Sequence, residues 1–289
     1  MELDIPISSI LRIPPERKNY RLACPLHGSA NPTTLHISDD RFFFCFACHA
    51  GGTAVELYAE MERIPRTKAL AILSQKYPPL SGLKQAAQDL DWRLKKMQLS
   101  PLPVLEFPEG LGETPYPLRG LGFPTLKHFG LRECAEGVCF PFRDVEGNLV
   151  GWSVRRAEGV EPKYLNSKGL KKSRILYGLY ENQESIRKRK EVILVEGQFD
   201  ALAVWDAGFT NVAAVLGSDL AREQVRLLLP WVDRIKVLFD ADSAGREGAF
   251  QVRCKWQSVF SVKVLVLPEG EDPCSAGEEK LQEVLGAGN

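Results

Sequence analysis

The sequence predicts an α/β chain with α+β elements, divided between a small metal-stapled module and a larger domain built on a mostly parallel sheet. Three observations carry that prediction. Two Cys/His pairs of the same short spacing stand close together near the start. In the C-terminal third, short apolar runs ending in small or acidic residues alternate with helix-compatible segments, the pattern of strands and crossover helices. Finally, 289 residues, 44% of them hydrophobic, suffice for one large core plus a smaller folded unit.

Taken in order, residues 1–78 read as the compact module. Two β-rich segments, Thr34–Ile37 and Arg41–Cys45, precede a helix that opens with a capping box from Thr53 to Glu56 and carries apolar Val55, Leu57, Tyr58 and Met61. A second helix over Thr67–Lys76 offers Ala69, Leu70, Ile72 and Leu73 as its apolar face, and Pro78-Pro79 stops it. Residues 79–115 read as a linker. It starts with a charged amphipathic helix, Leu83–Met97, and continues into the run SPLPVLEFPEGLGETPYP, whose prolines favour extended chain over packed structure and leave the modules free to move. From 116 to 190 come a short helix (Thr125–Phe129), strands at Val138–Phe142 and Leu149–Val154, and a basic loop. From 191 to 275, the runs Val192–Glu196, Val212–Val215, Ile235–Asp240 and Lys263–Leu267 read as buried strands separated by helices, and 276–289 as a tail. Ligands of such sheets bind at the carboxyl ends of the strands, where Glu196 and Asp240 fall.

Lysine plus arginine balance aspartate plus glutamate at 37 each, so global charge advertises no nucleic-acid partner. Its distribution does: between Arg119 and Lys190 there are fifteen basic against eight acidic residues. No run approaches the length of a membrane span, and the first residues lack a signal-peptide profile, so a cytoplasmic location is expected. An odd count of seven cysteines in such a chain points to a metal site plus structural thiols rather than a disulfide framework.

Cys24-x2-His27 and Cys45-x2-Cys48 each grip a metal from a single turn, and together they offer four ligands of the kind tetrahedral Zn²⁺ takes in closed structural sites. His49 competes with His27 for the fourth position but is adjacent to Cys48, and His36 lies within a predicted strand. A second constellation combines Val195-Glu196-Gly197-x2-Asp200 with Phe239-Asp240-Ala241-Asp242-x2-Gly245. Carboxylates just past buried strands form a hard-oxygen cluster suited to Mg²⁺ or Mn²⁺ with positions left open for phosphate oxygens. Asp200 also reads as a residue favouring the N-terminus of the helix that follows. In the basic segment, Lys163, Lys168, Lys171, Lys172 and Arg174 are suited to phosphates and Tyr164 to base stacking, while the RKRK run at 187–190 reads as solvated surface. Of Phe42, Phe43, Phe44 and Phe46, half are expected in the module's core and half on a stacking face for single-stranded template.

These motifs resemble a known family. CPLH and CFACHAGG resemble the CHC2-type zinc finger of bacterial and phage DnaG-type primases. VEGQFDAL, VLGSDL and LFDADSAGREGA resemble successive motifs of the TOPRIM fold, and PKYLNSKGLKKSRILYGL resembles the basic motif of the primase-specific subdomain. The resemblance implies a zinc-ribbon-like module, a primase-specific basic subdomain over 116–190 and a TOPRIM metal-binding subdomain over 191–275. It implies catalytic metal at Glu196, Asp240 and Asp242 with Asp272 as a further acid, and nucleotide or template binding by Arg119, Arg155, Lys163, Tyr164, Asn166 and Lys172. One departure is Cys274, where many members carry a second acidic residue.

The expected activity is therefore synthesis of short RNA primers de novo from nucleoside triphosphates on single-stranded DNA. Alternatives are a TOPRIM nuclease, or a non-catalytic single-stranded-DNA-binding replication subunit. The sequence contains no G-x4-G-K-[ST] motor motif, and few residues follow Asp272. The expectation is thus a stand-alone primase of a phage, plasmid or other mobile element, served by a separately encoded helicase.

Overall fold

A computed structural model of the chain describes residues 5–14, 19–48, 50–77, 100–257 and 259–286. It divides into two compact units, Met1–Trp92 and Arg93–Asn289. The amphipathic helix expected over Leu83–Met97 and the His49 ligand alternative lie outside the described residues.

The first unit is a four-stranded antiparallel sheet in sequential order, β1 (Asn19–Leu22), β2 (Leu35–Ser38), β3 (Phe42–Cys45) and β4 (Gly51–Thr53), with helices α1 (Ile7–Leu11), α2 (Ala54–Glu62) and α3 (Arg66–Lys76). A tight turn joins β2 to β3 through Asp39 and Asp40, both at positive φ, with the Arg41 N–H donating to Ser38 O at 3.0 Å. Left-handed conformations at both central positions match the strands' twist, and aspartate tolerates them. The Asp40 carboxylate then accepts from Ser8 N and Tyr20 Oη, each at 2.8 Å, and so ties α1 to the sheet.

Helix α2 starts as its sequence predicts: the Thr53 hydroxyl accepts from Val55 N at 3.3 Å and Glu56 Oε2 accepts from Thr53 N at 2.8 Å. Arg66 reinforces this cap by donating to Glu56 Oε1 at 2.6 Å. Thr53→Ala is expected to lower the module's stability by about 1 kcal/mol, measured by denaturant unfolding of the zinc-loaded protein. Ala54, Val55, Leu57, Ala69 and Leu73 pack with Leu35, Ile37 and Phe43 in the core. Two residues assigned to apolar faces point outward instead: Met61 is 39% and Ile72 40% exposed. A unit with one sheet face to cover needs only a narrow helical stripe, and both lie beyond it.

The second unit joins two four-stranded sheets. The first is an antiparallel meander of β5 (Arg132–Cys134), β6 (Gly137–Arg143), β7 (Leu149–Arg156) and β8 (Tyr164–Asn166), preceded by α4 (Phe123–His128). After α5 (Gln183–Arg189) comes the second, an all-parallel sheet in the order β10-β9-β11-β12, from β9 (Glu191–Val195), β10 (Val212–Ala214), β11 (Arg234–Val237) and β12 (Ser261–Val264). Helices α6 (Gln198–Asp206), α7 (Arg222–Leu228), α8 (Ser243–Trp256) and α9 (Pro273–Gly286) alternate with these strands. Val192 to Val195 are all buried, as strands covered on both faces must be. Phe140, Phe142 and Val150 of the meander share one core with Val195, Phe199 and Leu202 of the parallel layer. Tyr177, paired with Ala214 of β10 through both N–H···O bonds, seals the join.

The proline-rich run is not unpacked connector throughout. Leu105 N donates to Leu149 O at 2.7 Å, Gly112 N to Glu133 O at 2.8 Å, and Glu133 N to Glu113 O at 2.9 Å. Proline lowers helical propensity, but the intervening residues keep donors and acceptors that strands β5 and β7 can satisfy. In the RKRK run, Arg187 lies over the Trp231 ring at 4.0 Å, so its guanidinium packs rather than only solvating.

Candidate active site and metal centre

In the first unit, the turns after β1 and β3 bring Cys24, His27, Cys45 and Cys48 together, with ligand atoms all within 4.8 Å of one another. Cys24 Sγ lies 3.9 Å from Cys48 Sγ, and Cys45 Sγ 3.7 Å from His27 Nδ1. The N–H groups of Ala47 and Cys48 both point at Cys45 Sγ from 3.4 Å. Burial, and then its thiol neighbour Cys45, push the Cys24 thiol up to about 12. A cation among the sulfurs offsets that penalty, and two Cys/His pairs supply a tetrahedral donor set, so the residues fit structural zinc.

In the second unit the parallel sheet reverses its strand order beside β9: β10 lies on one side and β11 on the other. The crevice at such a switch point opens at the carboxyl ends of the two central strands. Glu196 follows β9 and Asp240 follows β11, and Glu196 Oε1 accepts the Asp240 N–H at 3.2 Å. Gly245 makes this closeness possible. A Cβ on it would lie 2.2 Å from Asp240 O and 2.6 Å from Glu196 Oε1. Gly245→Ala is therefore expected to displace the Glu196 carboxylate and cost about a hundredfold in activity, read as kcat in a synthesis assay, with the fold intact by circular dichroism.

A cleft of about 320 Å³ lies here, lined by the acids Glu196, Asp200, Asp240 and Asp272 and by Cys274. Arg119, Arg155, Lys163, Tyr164 and Lys172 also line it. Asp242, next in the motif, is not among the lining residues: it caps α8, its Oδ1 accepting from Gly245 N at 2.7 Å. Asn166 is exposed at the end of β8, opposite Ser153, and also stands outside the lining. Asp272 caps α9, accepting from Ser275 N at 2.6 Å.

Asp200 is both a helix cap and a member of the acidic wall. It is buried, and it accepts from Gly197 N at 3.0 Å and Cys274 N at 3.3 Å, so it fastens the start of α9 to the turn after β9. Among the basic lining residues, the Arg119 guanidinium lies 4.4 Å from the Phe199 ring centre and the Arg155 guanidinium 5.0 Å from that of Tyr164. Arg119 adopts positive φ at the apex of a tight turn closed by Leu118 and Leu121. Sequence reading did not single out Gln198, Phe199, Leu216 and Gly217 as lining residues, although they lie within the VEGQFDAL and VLGSDL motifs; they carry no charge, and the fold places them at the cleft.

The acids repel one another. Burial, then Asp240, raises Glu196 to about 7, and burial, then Asp240 and Asp272, raises Asp200 to about 7. Burial, then Asp272 and Asp242, raises Asp240 to about 6. Asp240 Oδ1 is buried with no hydrogen-bond partner. An orphaned anionic oxygen among crowded acids is what a divalent cation satisfies, so these residues fit Mg²⁺ or Mn²⁺. Among the described residues, the Cys/His quartet is the only group of three or more such ligands gathered within 4.8 Å.

These raised values set a pH dependence. In the folded chain the three carboxyls hold protons that the unfolded chain has already released. Their contribution to stability is full below the unfolded values, near pH 4, and is lost as pH rises through about 6 to 7. A bound divalent ion competes with those protons, so the rise in melting temperature on adding Mg²⁺ is expected to be larger at about pH 8 than at about pH 6. An equal rise at both would contradict a carboxylate site.

Comparison with known proteins agrees with this geometry. Three family descriptions match in order: CHC2 zinc finger over residues 4–87; DNA primase catalytic core, N-terminal domain, over 132–183; and Toprim-like over 193–276. The order of these matches is similar to that of DNA primases of the DnaG type, Toprim proteins with an N-terminal zinc finger. A DNA primase of Pseudomonas putida is 30% identical over 328 residues, covering 93% of this chain and 50% of that protein. One of Aquifex aeolicus is 28% identical over 334 residues, covering 98% and 67%. The chain spans about half the length of the first of the curated relatives it matches. In fold it is similar to the crystal structure of the zinc-binding and RNA polymerase domains of Aquifex aeolicus primase, with TM-score 0.53, 24% identity, and coverage of 99% of this chain and 86% of that one. No helix among the described residues is long and apolar enough to cross a membrane.

Proposed function

We propose that the chain is a primase, a DNA-directed RNA polymerase that starts short RNA primers de novo on single-stranded DNA in the cytoplasm. The observation that carries this is that one cleft is lined both by Glu196, Asp200, Asp240 and Asp272 and by Arg119, Arg155, Lys163 and Lys172. A nucleoside triphosphate brings both the charge that the basic side chains would pair with and oxygens that a metal held by the carboxylates would share. Bound Mg²⁺ or Mn²⁺ supplies acidification of the attacking 3′-hydroxyl and neutralisation of the departing pyrophosphate.

The chain's own residues do the rest. Glu196 and Asp240 hold metal, Asp242 shapes the motif by capping α8, and Asp272 adds charge. Lys163, Lys172, Arg119 and Arg155 orient phosphates, and Tyr164, its ring under Arg155, stacks on a base. Asn166, beyond the lining, serves template or primer outside the cleft. In the zinc module, Phe43 and Phe44 are buried, whereas Phe42 and Phe46 are half-buried, with Arg21 5.2 Å from the Phe46 ring centre. That face engages template bases and helps choose the start site.

The widest part of the proposal is a phage, plasmid or other mobile-element setting with a separately encoded helicase; unwinding of duplex DNA by the chain alone would contradict it. End-labelled single-stranded DNA tests the rest. We expect salt-sensitive binding whose log–log slope falls by about 1.4 in magnitude when Lys163 and Lys172 both become alanine, with the label intact after incubation with Mg²⁺. Template degradation would instead favour the nuclease alternative.

A further inference from the structure

We infer that Gln224 is a positioning residue for nucleotide binding, a buried amide that holds the Lys172 turn in register with the strand bearing Glu196. This inference rests on the primase reading of the cleft. Gln224 sits in the first turn of α7 and is 1% exposed. Its two Nε2 hydrogens go to Ile175 O and Val215 O at 2.8 Å each, and Lys172 O, at 3.2 Å, shares one of them. Its Oε1 accepts from Ala221 N at 2.9 Å. The amide orientation follows from the partners, because flipping it would set an oxygen against three carbonyls and an NH₂ against an N–H.

The connection links two loops that both line the cleft. Val215 N donates to Val195 O and Leu216 N to Glu196 O, both at 2.9 Å, so the loop after β10 is bonded to the strand end that carries the metal-binding glutamate. Leu216 has φ 63, a left-handed conformation costly for a branched side chain, and it persists because those bonds over-determine it. Gln224 picks up the Val215 carbonyl from that loop and reaches across to Lys172 and Ile175. Lys172, Leu216 and Gly217 all line the cleft. The Lys172–Arg174 segment is a single 3₁₀ turn with none of its residues buried, too short to fix a lysine by its own packing. An apolar residue in place of Gln224 would strip this partner from the Ile175 and Val215 carbonyls and the Ala221 N–H, while Lys172 O would keep the Ile175 N–H at 3.2 Å.

Gln224→Glu tests this, because it keeps the chain length and the acceptor for Ala221 N–H while removing the NH₂. Kinetics of the full, zinc-loaded protein are compared for wild type, Gln224→Glu, Lys172→Ala and the double variant. Each single change is expected to raise the ribonucleotide KM about tenfold with kcat within about threefold, and the double variant to be no worse than Lys172→Ala alone. Amide hydrogen exchange should quicken in residues 170–176 and 215–217 of Gln224→Glu. Multiplying effects in the double variant, or an unchanged KM in Gln224→Glu, would overturn the assignment. Should that variant not fold, Gln224→Met carries the same comparison. The cycle is repeated as Kd for a fluorescent ATP analogue with Mg²⁺. If wild type makes no primer yet binds the analogue, the primase reading fails and the Kd cycle still decides for or against Gln224; if it binds none, both fail.

Discussion

Replacing Asp240 and Asp242 together by alanine is expected to reduce primer synthesis by about a thousandfold or more, with zinc content and the far-ultraviolet spectrum unchanged. Asp240 presents an oxygen with no partner, and its N–H reaches Glu196, so it sits at the centre of the acidic wall. Asp242 contributes differently, since its Oδ1 caps α8 and its loss adds a stability cost of about 1 kcal/mol. The single change Asp240→Asn separates function from fold. It removes the charge that raises both Glu196 and Asp200, so without divalent ion at pH 8 it is expected to raise the melting temperature while synthesis disappears. Lost activity with gained stability marks a site that tolerates repulsion in order to bind cations. An Asp240→Asn protein that still made primers would remove these carboxylates from the mechanism.

The second large effect concerns the metal of the first unit. Stripping zinc, or replacing Cys45 by serine, is expected to unfold that unit while leaving the second unit's exchange protection in place. Cys45 Sγ receives two backbone N–H groups and faces His27, so it is the hub of the quartet. Modules of this size bury little apolar surface, and structural zinc contributes an apparent ~10–16 kcal/mol of coupled folding free energy. Hydrogen exchange across residues 19–77, read beside metal content by mass spectrometry, checks it. Retained protection in zinc-free protein would contradict a structural role for the ion.

Much of the fold was legible because the signals were local. The capping box at Thr53 and Glu56, the apolar runs of β9 and β11, and the paired x2 spacings each report a structure set by near neighbours in sequence. Glu196 and Asp240 could be placed because strand ends in a parallel sheet share one edge. What escaped notice depends on distant partners. Composition marks residues 101–115 as extended, yet says nothing of the Leu149 and Glu133 carbonyls that receive their N–H groups. Asp200 was readable as a cap, but its burial against the start of α9 arises from residues more than seventy positions away. Gln224 carries no motif at all; its role emerges only when three carbonyls from two separate loops converge on one amide.

The central claim is that this cleft starts RNA chains. The most direct measurement supplies unprimed single-stranded DNA of varied sequence, Mg²⁺ or Mn²⁺, and ribonucleotides labelled at the γ-phosphate, with products resolved on a denaturing gel. A chain begun de novo keeps that phosphate at its 5′ end, so the account predicts short, template-dependent, γ-labelled oligonucleotides that vanish with Asp240→Asn. Intact template with no labelled product under either metal would contradict it.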